Sequence, residues 1–130
     1  MAITLSTGAR NAACDAITAL VDVSGPGTIE IKTAASTVAG TSEAATLTFP
    51  ATAFGAAVTG VCTAGTIVDD TSAAGGTAGF YTVFDGLGAA VWQGTVTATS
   101  GGGDLELSSV VIGATDTVTI SSFTITVPAA

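Results

Sequence analysis

Ten carboxylates are the side chains in this sequence that could run acid or base chemistry, because it contains no histidine. Without imidazole there is no Ser-His-Asp triad and no histidine-based zinc site. Cys14 and Cys62 are too few for a four-thiolate metal centre. A glycosidase needs only two acids at a suitable separation, so Asp69, Asp70, Asp85, Asp104, Glu106 and Asp116 are the residues to test. Most of them fall among Gly, Ser and Thr, where an Asp side chain bonds the backbone of a turn. They are read as turn residues, and the chain is expected not to be an enzyme.

Asp69-Asp70-Thr71-Ser72 could hold Ca²⁺ but lacks the ligand spacing of a calcium loop, so a solvated turn is expected. Ser100-Gly101-Gly102-Gly103-Asp104 resembles a phosphate loop superficially, yet no lysine and no helix follow it. It is expected to be a hairpin turn. Trp92 and Tyr81 could make a sugar-stacking platform, although aromatic residues on alternating strands ordinarily belong to the core. No catalytic, cofactor-binding or metal-ligating residue is assigned, and no cofactor is expected.

The elements that must position these residues begin with a helix. Ser6 or Thr7 can cap it, and Ala9, Ala12, Ala13, Ala16, Ile17, Leu20 and Val21 form a narrow stripe at three- and four-residue spacing. Ser24-Gly25-Pro26-Gly27 stops it. From Thr28 the period falls to two: Ile29 and Ile31 alternate with Glu30 and Lys32, then Ala45, Leu47 and Phe49 with Thr46 and Thr48. Further short strands are expected at 58–64 and 66–70.

Gly79 to Ala98 is the central hairpin, with Asp85-Gly86-Leu87-Gly88 as its turn. Phe80, Phe84 and Trp92 are expected to pack on one core. After Leu105, Leu107 and Val110-Val111-Ile112, the last strand changes phase: Val118 and Ile120 are even, whereas Phe123, Ile125 and Val127 are odd. Such a slip across Ser121-Ser122 predicts a bulge or a strand that bends away. The whole reads as all-β, an antiparallel β-sandwich of jelly-roll type with one N-terminal helix. One domain is expected over 1–130, with the N-terminal segment and helix at 1–27 and the sandwich at 28–130.

Charged residues make up 9% of the chain, against about 25% in an ordinary globular protein. The formal charge is −8, with Arg10 and Lys32 the only cations. Phosphate neutralisation needs Lys and Arg, so nucleic acid is excluded as a partner, and an anionic membrane would repel the chain. MAITLSTGAR has no basic start followed by an apolar run, and no stretch is long enough to span a bilayer, so neither signal peptide nor membrane span is expected. Cys14 and Cys62 are then expected to remain reduced. A surface of Thr, Ser, Ala and Gly suits a protein partly covered by neighbours.

Taken together, ARNAACDAITALVD, GTIEI, ATLTFPATAFG, WQGTV and SSFTITVP resemble small structural proteins of tailed bacteriophages, above all head decoration or cement proteins. The resemblance implies a small β-sandwich on the outside of a capsid, bound to the major capsid protein and bridging its subunits as a homo-oligomer. It implies a virion protein made in the host cytoplasm, and it carries over no functional residues. The alternative is a carbohydrate- or receptor-binding module on a tail or fibre.

Overall fold

The computed structural model describes residues 3–130. The chain is mostly β with one N-terminal helix. Helix α1, Thr7–Ala19, starts where Ser6 Oγ accepts the Ala9 N–H, and a single 3-10 turn, Leu20–Asp22, ends it. Its buried side overlaps the expected stripe only in part, at Val21 and the half-buried Ala13 and Ile17. Cys14, Thr18 and Val21 face inward, whereas Ala9, Ala12, Ala16 and Leu20 are exposed. The reason is polar anchoring: Arg10 Nε donates to Val127 O, Asn11 Oδ1 accepts from Gly60, and Asp15 Oδ1 accepts from Ala57. These bonds fix the helix rotation where alanines supply little area to do so.

The strands are β1 (Thr28–Lys32), β2 (Glu43–Thr48), β3 (Val61–Thr63), β4 (Gly76–Thr77), β5 (Phe80–Phe84), β6 (Ala90–Ala98), β7 (Leu105–Leu107), β8 (Val111–Ile112) and β9 (Thr124–Thr126). Five form one sheet in the order β2-β1-β5-β6-β7, and two short ladders, β3-β9 and β4-β8, complete it. All pairs are antiparallel except β6-β7.

Facing residues across the sheet share a side. Ile29 lies opposite Leu47 and Val83, Ile31 opposite Ala45 and Tyr81, and Val83 opposite Trp92. This is the side that meets the helix and the later strands, around Phe49, Phe54 and Phe123. Phe123 touches four other aromatic rings, at centroid distances of 5.4 Å to Tyr81, 6.1 Å to Phe54, 6.2 Å to Phe49 and 6.3 Å to Trp92.

The hairpin corrects one expectation. Phe80 and Phe84 do not share a core with Trp92: a bulge between Val83 and Phe84 sets Phe84 opposite Ala90 and Val83 opposite Trp92. One extra residue in a ladder exchanges the faces of everything beyond it. Phe84 is therefore buried on the other side of the sheet, with Lys32 over its ring at 5.3 Å.

The turn at 99–104 is a second correction. It makes no hairpin, because β7 runs parallel to β6, with Val96 opposite Leu105 and Ala98 opposite Leu107. A parallel return ordinarily takes about a dozen residues or more. The shortcut requires the chain to double back against itself, and a Cβ on Gly101 or Gly103 would lie 2.6 or 2.9 Å from Thr97. The phase slip near the C-terminus is present as expected: Val118 and Ile120 are buried beside the bridge to Asp70, then Phe123 turns inward and β9 joins β3.

Candidate functional site

The carboxylates are dispersed, and what they hold is backbone. Asp70 accepts from the Thr46 and Ser72 N–H groups, Asp85 from Leu87 and Ala89, and Asp116 from Gly113. Asp104 Oδ2 accepts both the N–H and the hydroxyl of Thr95, and Glu106 accepts from Ser100 and Gly102. Asp15, Asp22 and Glu30 take the N–H groups of Ala57, Ala53 and Gly40 in the same way. Each such carboxylate satisfies a loop donor or, at Thr46 and Thr95, an outward strand donor that has no ladder partner. Asp69 is exposed, and no cluster of three potential metal ligands occurs among the described residues.

Both thiols are buried and not joined by a disulfide. Cys14 Sγ lies 3.5 Å from Ile125 O, and Thr18 Oγ1 lies 3.7 Å from Cys62 Sγ. Burial pushes the Cys62 thiol up to about 12, with its contact to Cys14 adding and Thr18 opposing. A thiol so protonated is a poor nucleophile at neutral pH.

One place does gather residues of different chemistry at the surface. Tyr81, Trp92, Gln93, Asp104, Thr124, Ile125 and Thr126 line an open groove of about 430 Å³ between β6 and β9. Gly94 makes it possible for Tyr81 to reach there: a Cβ at residue 94 would sit 2.6 Å from the Tyr81 ring, so the ring lies across β6 where a side chain is missing. Burial holds the Tyr81 hydroxyl above its ordinary value; Asp104 adds to the rise, and the Trp92 indole opposes it. Trp92 is half-buried and stacks on Phe123 with an interplanar angle of 5°.

The sequence named Trp92 and Tyr81 only as a disfavoured sugar platform, its spacing having grouped Trp92 with Phe80 and Phe84, and the fold brings the two together. That spacing did not place Gln93, Asp104 and Thr124 to Thr126 beside them. The glycine inside WQGTV, weak for a strand interior, was the available signal that something crosses β6 there. Comparison with protein-family models, with curated proteins and with solved structures gives no match to this chain.

Proposed function

We propose that this is a virion structural protein that binds the outside of a phage capsid and stabilises it by bridging capsid subunits. One observation carries the reading: most of the charges are engaged in hydrogen bonds within the chain, and large apolar side chains stand exposed on a surface otherwise rich in Thr, Ser, Ala and Gly. Eight carboxylates accept backbone N–H groups, from Asp15 to Asp116, while Arg10 donates to Val127 O and Lys32 is fully buried. Exposed apolar residues include Ile3, Leu20, Val38, Val58, Val68, Leu87 and Val111. Such a surface supports contact by shape and apolar burial. The jelly-roll-like sandwich, the homo-oligomer, the major capsid protein as partner and the virion location belong to this proposal, as does the absence of catalysis.

A second reading, a carbohydrate- or receptor-binding module on a tail or fibre, draws support from Trp92, Gln93 and Asp104 lining one groove. Copy number in purified particles separates the two. Decoration requires on the order of hundreds of copies arranged on the shell's symmetry, and a tail tip only a few. Attachment should also persist to about 1 M NaCl, where the Debye length is about 3 Å, and yield to urea. A low copy number, or release by salt alone, would count against decoration.

A further inference from the structure

We propose that the groove between β6 and β9 takes an extended strand from the protein on which this chain docks. That strand pairs through its backbone with both edges and carries Lys or Arg where it passes Asp104. The inference rests on the docking reading above and gives it a site.

The edges come first. Val96 N–H donates to Gly79 O, so even-numbered residues of β6 turn their backbone groups toward β5, and Gln93 and Thr95 turn theirs away. β7 meets only Val96 to Ala98, which leaves Gln93 without a strand beside it. On β9, Ala64 N–H donates to Phe123 O and Val127 N–H to Gly60 O, so odd-numbered residues face β3 and Thr124 and Thr126 face outward. Gln93 and Asp104, both on the outer side of β6, line the groove; no residue of β3 does. Two strand edges, each short of a partner, thus border one hollow. Backbone N–H and C=O groups in that position are a template for another strand.

The floor argues for a strand over a sugar. Trp92 is stacked on Phe123 and packed by Phe54 at 5.9 Å, so the ring is committed to the core and does not stand free as a platform. Charge argues for another protein over a second copy. Asp104 is the one charged residue lining the groove, and its Oδ1 has no hydrogen-bond partner among the described residues. Both cations of this chain are engaged within it, Arg10 on Val127 O and Lys32 on Glu30. A basic group for Asp104 must therefore come from outside.

The probe is an acetylated Thr-Val-Thr-Val-Thr-Lys peptide, read by amide hydrogen exchange on the full chain. Exchange at Gln93, Thr124 and Thr126 should slow by about tenfold or more with this peptide. It should not slow with a version N-methylated at alternate residues, and should slow less with Glu in place of Lys. Asp104→Asn should erase the Lys-over-Glu preference. Thr126→Pro removes an outward N–H while sparing the bonds to β3, as edge strands tolerate, and should abolish the effect. If that variant does not fold, Gln93→Pro tests the opposite edge. No slowing with the parent peptide, equal slowing with the N-methylated one, or slowing by a glucose oligosaccharide alone would overturn the slot. Particles that bind parent and Thr126→Pro chains alike would sink the slot and spare the docking reading. Slowing by the peptide together with absence of the protein from particles would do the reverse.

Discussion

Strands β1 and β5 are covered on both sides, and the two covers are built from different physics. On one side Ile29, Ile31, Tyr81 and Val83 meet Phe49, Phe54 and Phe123 in a cluster held by contact area. On the other, Glu30, Lys32, Thr82 and Phe84 are equally buried, beneath the loop at 33–42. Lys32 Nζ donates to Glu30 Oε1 at 2.9 Å, to Thr41 O at 2.8 Å and to Val38 O at 3.1 Å. Gly40 N–H donates back to Glu30, and Thr82 Oγ1 donates to Ser36 O at 2.7 Å. The apolar cover tolerates small shifts, because dispersion and burial are undirected. The polar cover holds only while every donor meets its acceptor, since a charge left alone there keeps its full desolvation cost. One side is therefore graded in its response to damage, and the other is all or none.

The largest effects should come from removing one member on each side. Phe123→Ala deletes the ring shared by four others and should cost about 3 to 5 kcal/mol in urea unfolding. Adding Phe54→Ala should deepen that loss. Lys32→Met strands the Glu30 carboxylate and should cost a similar amount, about 3 to 5 kcal/mol. Here, however, Glu30→Leu added to Lys32→Met should recover most of the loss, because the uncompensated charge is gone. If the polar double variant is as damaged as the aromatic one, the two sides do not differ as described.

Trp92→Ala sharpens the apolar side. Trp92 is only half-buried, so its loss should fall below the about 3 kcal/mol of a fully buried ring. The smallest effect is one of pH. Cys62, in the apolar cluster, ionises near 9.0 when unfolded and is pushed up to about 12 by burial. The folded state then holds a proton that the unfolded state releases, so this stability is complete below about pH 9 and lost progressively up to about pH 12. Tyr81 acts in the same direction above its ordinary value. Urea midpoints compared at about pH 8 and pH 10.5 should therefore fall, and less so in Cys62→Ala.

The helix start, the β1, β2, β5 and β6 strands and the phase slip at Ser121-Ser122 were legible because each is written in local spacing. Three features were not. The bulge at Val83 and Phe84 exchanges faces without changing the alternation of either arm, so the sequence could not say that Trp92 belongs with Tyr81 and Val83. Alternation in Ile29-Glu30-Ile31-Lys32 reads the same whether the polar side meets water or a folded-over loop; only the Ser36, Val38, Thr41 and Gly40 backbone groups decide it, and they carry no side-chain code. The groove was half legible. Its aromatic pair stood out, but the edges of β6 and β9 come together through contacts between distant segments.

The burial of Lys32 also governs how the molecule meets proteases and amine reagents. Trypsin can cut this chain only after Arg10 and Lys32, the first within α1 and the second at the end of a central strand with no exposed surface. Cleavage at Lys32 needs β1 to leave the sheet, so its rate follows opening of the whole core and not the fraying of a loop. The only ε-amine is likewise out of reach of acylating labels until that opening occurs. Labelling of Lys32 in a native preparation would therefore report the same opening that exposes it to trypsin.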